Sequence, residues 1–203
     1  MRNIGEIIMD AIVAILTRRS TRKFDNKIPE KELIQKVVNA GRYAPSGANS
    51  QTSHFIVITN KEVLKEIAEL VQGEFAKMEI SEDMYVSLKG SINTSKKGDY
   101  VFHYNAPVLI VIANKKGYGN AIADSSCALE NMMIAANAFD LGSCWINQLH
   151  WLDDNERIRT FLEGYGLKKD ETITGGLALG FSEKGLPNRK PLDRKGNVVT
   201  WVE

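Results

Sequence analysis

The chain has 203 residues, of which 43% are hydrophobic and 25% charged, and its formal net charge at neutral pH is +1. A chain of this length can bury a substantial core, in one large domain or two small ones. The balanced charge argues against nucleic acid as a partner, because proteins that bind it usually carry a basic excess. The two cysteines, Cys127 and Cys144, form no C-x-x-C pattern, so the sequence indicates neither a zinc site nor a disulfide framework. Because a chain without a disulfide framework suits a reducing compartment, we expect a cytoplasmic protein.

The first 16 residues read as an amphipathic helix. Their apolar side chains fall at positions 4, 7, 8, 11, 12, 15 and 16, which is the spacing of one helical stripe. Glu6 and Asp10 interrupt the apolar run that a signal peptide needs, and no small-residue cleavage site follows. No other stretch approaches the roughly 20 apolar residues of a membrane span, so we expect no membrane association.

A dense basic cluster follows this helix. The segment RRSTRK (18–23) carries four cations in six positions, with two hydroxyl side chains between them. The planar fork of arginine suits phosphate, because it donates paired, charge-assisted hydrogen bonds. The alternative is a solvated helix terminus, where cations suit the negative end of the helix dipole. Both interpretations stay open for this segment alone, whereas contact with nucleic acid is disfavoured because no aromatic residues are interleaved with the cations.

The rest of the chain alternates irregularly between helix and strand patterns. The predicted helices cover 28–41, 61–79, 124–138 and 153–163, and the predicted strands cover 54–59, 106–114, 143–147 and 171–181. Residues 80–105 are polar, with scattered aromatic residues, and are interpreted as a lid or an excursion from the domain. The pattern favours one α+β domain built around a central sheet.

Two further segments are candidates for binding, and each has an ordinary alternative. The loop PSGANSQ (45–51) allows close approach of the backbone to a ligand, although such loops often only connect a helix with a strand. The cations of NRKP (188–191) either join the first cluster at one phosphate or lie in a solvated tail. The three histidines show no metal-ligand or triad spacing, and Cys144 is interpreted as a packing residue. We therefore expect the chemistry to come from a cofactor.

Five segments in a fixed order carry a resemblance that covers nearly the whole chain. They are RRSTRKFD (18–25), PSGANSQTSHF (45–55), APVLIV (106–111), ENMMIAANAFDLGSCWIN (130–147) and GGLALGFSEKGLPNRKP (175–191). Together they resemble the nitroreductase family of FMN-dependent oxidoreductases. The resemblance implies a single α+β, FMN-binding domain over residues 1–203, with a central, mostly antiparallel sheet sandwiched by helices. It also implies an intertwined homodimer with two FMN sites at its interface.

The resemblance assigns residues to the FMN site in three groups. The phosphate, the ribityl chain and the pyrimidine edge are assigned to Arg18, Arg19, Ser20 and Arg22, with Arg189 and Lys190 joining them at the phosphate. The residues assigned to the loop that reaches the partner subunit's flavin are Pro45, Ser46, Gly47 and Asn49. The segment assigned to the isoalloxazine near its N5 atom is Trp145, Ile146, Asn147 and Gln148, at a place where the family often has Gly or Glu-Gly. No side chain is expected to be catalytic, because the flavin carries the chemistry.

The activity implied by the resemblance is reduction of nitroaromatics, quinones or similar electron-poor acceptors with hydride from NAD(P)H. A cation beside the pyrimidine edge, from Arg19 or Arg22, would stabilise the reduced flavin and raise its potential. Reductant and acceptor would use one pocket in turn, which gives ping-pong kinetics. The alternatives are a flavin-binding or storage protein without efficient turnover, and a family relative that acts in dehalogenation or flavin breakdown.

Overall fold

The structure, a computed structural model, describes residues 9–185 and 190–203. Within these residues the helices are α1 (Ala11–Thr17), α2 (Lys31–Arg42), α3 (Lys61–Lys77), α4 (Val86–Lys97), α5 (Ala121–Ala138), α6 (Gln148–Trp151) and α7 (Glu156–Glu163). The strands are β1 (His54–Ile58), β2 (Val108–Lys115), β3 (Gly142–Ile146) and β4 (Glu171–Gly180). None of these helices is both long and apolar enough to cross a membrane.

The four strands form one antiparallel sheet in the order β1-β2-β4-β3. Strand β2 lies inside the sheet and has no polar face, because all its residues from Val108 to Asn114 are buried. Its pairing with β4 contains a bulge between Ile112 and Ala113. The predicted α+β fold with an antiparallel central sheet is confirmed, while the homodimer stays a prediction.

Each face of the sheet packs against helices, and alternation along the strands divides the core in two. Ile110 and Leu177 face α2 and α5, whereas Leu109, Val111 and Ile173 face α3, α4 and α7. Burying an aliphatic side chain of this size contributes about 1.5–3 kcal/mol. The sandwich therefore fixes both ends of β3, the edge strand beside which the basic cluster lies.

Helix α5 anchors the segments that carry the candidate site. A Cβ atom on Gly41 of α2 would lie 2.8 Å from Cγ of Met132, so glycine permits the close packing of α2 on α5. At the other end, the amide Nδ2 of Asn137 donates to the carbonyl of Ala14 at 2.9 Å and to Oγ1 of Thr17 at 3.0 Å. These bonds hold the end of α1, and so the start of the basic cluster, on α5.

The structure differs from the predicted elements at three places. Helix α1 begins at Ala11, because Asp10 caps it by accepting from the backbone N–H groups of Ile12 and Val13, and residues 1–8 of the predicted helix lie outside the described part. Residues 80–105 contain helix α4, whose buried face has the single aliphatic side chain Ile92 beside two serines. The helix predicted over 153–163 begins at Glu156, because Asn155 caps it by accepting hydrogen bonds from two backbone N–H groups.

Candidate functional site

The basic cluster runs along the outer edge of strand β3. The backbone N–H of Thr21 donates to the carbonyl of Ser143 at 2.8 Å, and Ser20 forms a parallel bridge with the same residue. Gly142 permits this approach, since a Cβ atom there would lie 2.7 Å from Oγ1 of Thr21. The cations therefore project from a backbone that the sheet holds in place.

The guanidinium groups at the start of the cluster make few contacts with carboxylates. Nε of Arg18 lies 3.4 Å from a carboxylate oxygen of Glu130 on α5, yet this buried N–H has no hydrogen-bond partner among the described residues. No carboxylate in the described part of the chain lies within 4 Å of the guanidinium of Arg19 or Arg22. Positive groups that are held in place without counter-ions form a suitable site for an anion.

The second basic segment meets the first one in the structure. Nη2 of Arg19 donates to the main-chain carbonyl of Lys190 at 2.8 Å, across 171 residues of sequence. Nη1 of the same side chain donates to the carbonyls of Leu16 and Arg18, at 3.2 and 2.8 Å. Arg189, the other cation predicted at this position, lies outside the described residues.

The side chain of Arg22 lies on the α3–α4 side of the sheet, where it contacts Tyr104. Its guanidinium carbon lies 5.9 Å from the centroid of the tyrosine ring, at the outer limit of a cation–π contact. The proximity of the Tyr104 hydroxyl raises the pKa of Arg22. Tyr104 and Asn105 both have left-handed backbones, with φ of 56° and 55°. Sequence reasoning missed Tyr104; two consecutive residues before a strand give no periodic signal.

The thiol of Cys144 lies behind this pair and is buried. Burial raises its pKa, and the nearby Arg22 and Ser20 only partly offset that effect. A thiol with a raised pKa is a poor nucleophile near neutral pH. This environment agrees with the interpretation of Cys144 as a packing residue.

The four residues predicted to lie along the isoalloxazine point in different directions. Trp145 packs on the α5 side of the sheet and donates from Nε1 to Oδ1 of Asn147 at 2.7 Å, whereas Ile146 is in the opposite core. Nε2 of Gln148 donates to the hydroxyl of Tyr100 at 2.7 Å, and Oε1 of Gln148 is buried without a partner among the described residues. Two of the four side chains are therefore directed into the protein.

The 45–51 loop, which is predicted to contact the flavin, lies apart from the basic cluster within one subunit. Pro45, Ser46 and Asn49 line a cavity of about 510 Å³ together with residues of α2 and α5, and none of the basic cluster lines it. Gly47–Asn49 forms a 3₁₀ turn in which Ala48 and Asn49 have positive φ, of 51° and 54°. Within one subunit, the structure does not bring the loop and the basic cluster to one cavity.

The residues of the basic cluster fit the phosphate end of FMN better than they fit a metal. The cluster supplies the guanidinium of Arg19, which has no described carboxylate within 4 Å, the buried and unpartnered Nε–H of Arg18 beside Glu130, and the neighbouring Lys190. Among the described residues, no group of three or more His, Cys, Asp or Glu is arranged to hold a metal ion.

Comparisons with known proteins point to one family. The sequence model of the nitroreductase family matches residues 15–181. A protein of Methanothermobacter thermautotrophicus, provisionally named as an NADH dehydrogenase/NAD(P)H nitroreductase, is 32% identical over 157 residues, which are 74% of this chain and 68% of that protein.

Two solved structures share the fold over nearly the whole chain. A nitroreductase with bound FMN from Bacteroides fragilis has a TM-score of 0.84 at 32% identity, covering 96% of this chain and 100% of that one. A nitroreductase with bound FMN from Desulfitobacterium hafniense has a TM-score of 0.80 at 25% identity, with the same coverage.

Proposed function

Since the chain belongs to the nitroreductase family, whose fold is that of FMN-binding oxidoreductases, we propose that it is an FMN-dependent enzyme that takes hydride from NAD(P)H. The acceptors are nitroaromatics, quinones or similar electron-poor molecules, and the kinetics are ping-pong. Bound FMN would supply the redox chemistry, accepting hydride from the nicotinamide and passing electrons to the acceptor. The chain's own residues bind the cofactor, set its electrostatic surroundings and shape the pocket.

The observation that carries the proposal is the contact of Arg19 with Lys190. The main-chain carbonyl of Lys190 accepts from Nη2 of Arg19, so the second basic segment runs beside the first, which supports a shared phosphate site for the cations of both segments. The cations Arg18, Arg19 and Lys190 would hold the phosphate, and the backbone beside β3 keeps them there.

Arg22 serves a different part of the cofactor in this proposal. It is a permanent cation, and its contact with Tyr104 directs it to the α3–α4 side of the sheet. Beside the pyrimidine edge it would favour negative charge on the ring, which raises the reduction potential. The main chain of residues 145–148 would lie along the ring, because Ile146 and Gln148 direct their side chains away from it.

The proposal includes a homodimer, supported by apolar side chains that a single chain leaves exposed. Four apolar residues of α1 are at least 43% exposed: Ile12, Val13, Ile15 and Leu16. The tail ends in three side chains that are more than 80% exposed: Val198, Trp201 and Val202. Exposed apolar side chains that are grouped on one element can mark a surface that binds another protein. A partner subunit would also bring the 45–51 loop to the basic cluster, which the loop does not reach in its own chain.

The test is the colour of the purified protein and its response to reductants. We expect a yellow protein whose flavin absorbance bleaches with NADH or NADPH and returns on addition of a nitroaromatic. A flavin that neither nicotinamide bleaches would leave the storage role in place of the enzyme. A colourless protein that takes up no added FMN would contradict the proposal as a whole.

A further inference from the structure

Two side chains outside the predicted site hold the 45–51 loop in place. They are Tyr118, in the connection between β2 and α5, and Asp124, in the first turn of α5. Both carboxylate oxygens of Asp124 accept from the backbone N–H of Gly47, at 3.2 and 3.3 Å. Gly47 and Asp124 are separated by 77 positions in the sequence, so this contact is a tertiary one.

The hydroxyl of Tyr118 completes this arrangement, which we call the loop clamp. It lies 3.2 Å from the carbonyl of Gly47 and 3.1 Å from Oδ2 of Asp124, and its single proton can be donated to one of them at a time. The same hydroxyl accepts from Oγ of Ser50 at 3.2 Å. The N–H and C=O of one loop residue are thereby both bound to the clamp.

The loop has a conformation that its own residues do not favour. Ala48, Asn49 and Gln51 have φ of 51°, 54° and 51°, in the left-handed region where non-glycine residues are strained. Inside the loop, the backbone N–H groups of Asn49 and Ser50 donate to the carbonyls of Ser46 and Gly47 at 2.9 and 3.0 Å, and that of Gln51 donates to Oγ of Ser46 at 3.1 Å. Such a conformation persists only where the surroundings determine it, and here those surroundings are the clamp.

The fit between loop and clamp is also tight. A Cβ atom on Gly47 would lie 2.5 Å from the hydroxyl oxygen of Tyr118 and closer still to the amide of Asn120. Asp124 is buried, with 6% of its surface exposed, so water does not replace its contacts with the loop. Ser46 and Asn49, which lie on either side of Gly47, take their positions from this contact.

We propose that Tyr118 and Asp124 are positioning residues that hold the 45–51 loop in the shape needed to meet the flavin of the partner subunit. The inference rests on the proposed FMN site at a dimer interface. It adds that each flavin depends on two residues of the opposite subunit that act through the loop they hold.

The first test uses Asp124→Asn and Tyr118→Phe in the dimeric protein. Either change removes part of the clamp, and the loss of one or two hydrogen bonds should raise the FMN dissociation constant about five- to tenfold. The melting temperature of the apoprotein should change little, which separates positioning from a general loss of folding. The matched controls are Asp154→Asn and Tyr165→Phe, whose side chains are exposed and make no contact with the loop. If Asp124→Asn does not fold, Tyr118→Phe still tests the clamp, because it removes a single oxygen atom.

The second test asks in which subunit the clamp acts. Mixed dimers, purified through two different tags, combine one subunit carrying Arg19→Ala with one carrying Asp124→Asn. If the clamp serves the partner's flavin, one site combines an intact cluster with an intact clamp, and half of the sites bind FMN with wild-type affinity. If it serves the flavin of its own subunit, both sites are damaged and no wild-type phase is seen.

The outcomes separate this inference from the proposed function. A wild-type protein that binds no FMN contradicts the proposed function, and the clamp then has no flavin to serve. A wild-type protein that binds FMN, with both clamp variants binding it equally well, contradicts the clamp alone. So does a mixed dimer without a wild-type phase, or a wild-type protein that binds FMN as a monomer.

Discussion

Nη2 of Arg19 lies 2.8 Å from the main-chain carbonyl of Lys190 and joins the two basic segments of the chain. The same guanidinium also donates to the carbonyls of Leu16 and Arg18, so its position is fixed on three sides. It makes no ion pair with any described carboxylate, which leaves its charge available to a ligand.

Replacing Arg19 should therefore weaken the binding of phosphate specifically. We expect Arg19→Ala to raise the dissociation constant for FMN about 10- to 100-fold, because charge-assisted hydrogen bonds are lost. The dissociation constant for riboflavin, which has no phosphate, should not change. Flavin fluorescence titration measures both, and Lys23→Ala, at an exposed neighbouring cation, is the control. An equal loss of affinity for both flavins would contradict the phosphate assignment.

Arg22 should set the potential of bound flavin more than its affinity. Arg22→Gln removes a cation from the expected position beside the ring, and we expect the midpoint potential to fall by about 20–60 mV. Arg22→Lys keeps the charge and should stay near the wild-type value. Tyr104→Phe removes a hydroxyl close to the guanidinium but keeps the ring that it contacts, so it should lower the potential by a smaller amount.

The measurement for Arg22 is a redox titration with reference dyes, carried out on the flavin-loaded protein. Lys23→Gln provides the matched loss of a neighbouring positive charge, and its potential should equal that of the wild type. A potential that is the same in Arg22→Gln and in the wild type would place the guanidinium away from the ring.

The sequence predicts best those helices and strands that are apolar on all or most of their faces. Strand β2 is an uninterrupted apolar run because it is buried on both sides, and α5 is apolar on most of its faces. Helix α4 is not predicted from the sequence. Its buried face combines Ile92 with Ser91 and Ser95, so its apolar residues do not recur with a helical period.

The sequence identifies the basic segments of the candidate site but not the directions of their side chains. The basic segments are visible in the sequence, yet the contact of Arg19 with Lys190 depends on how the tail folds back. The direction of Gln148 is determined by Tyr100, which is 48 residues away. Asp124 carries no local sign of its contact with the loop, because a carboxylate in a first helical turn is ordinary for a helix.

Glu74 should make the stability of the fold depend on pH. Its buried carboxylate accepts from Lys77 at 2.7 Å, Asn155 at 2.9 Å and Arg157 at 2.7 Å, and so joins α3 to the start of α7. The hydrogen bond from Lys77, aided by those from Asn155 and Arg157, lowers the pKa of Glu74 against the opposing effect of burial. A carboxyl whose pKa is lower in the folded than in the unfolded chain stabilises the fold above the unfolded value. That contribution is lost as the pH falls through the folded pKa.

Glu74→Gln should then lower the free energy of unfolding by about 2 kcal/mol at pH 7. The difference from the wild type should shrink as the pH falls below about 4, because the carboxyl of the unfolded wild-type chain takes up a proton there before that of the folded chain does. Urea unfolding at a fixed protein concentration measures both values. Glu66→Gln, at an exposed position of the same helix, should show no such dependence. A difference that stays constant down to pH 3 would contradict the role of this carboxylate.

Gln148 should contribute to the fold rather than to the binding of flavin through its side chain. Its Nε2 donates to the hydroxyl of Tyr100, which lies 2.8 Å from Oγ of Ser91 on α4, so the amide connects the end of β3 with that helix.

We expect Gln148→Ala to lower the free energy of unfolding by about 1–3 kcal/mol, because the hydroxyl of Tyr100 loses a buried partner. The FMN dissociation constant should change less than twofold, since the substitution leaves unaltered the backbone that we propose lies along the flavin. Asn147→Ala is the matched comparison, because Asn147 is only partly buried and bonds to Trp145 alone among the described side chains. A large loss of FMN affinity in Gln148→Ala, without a loss of stability, would show that the amide turns outward to the flavin.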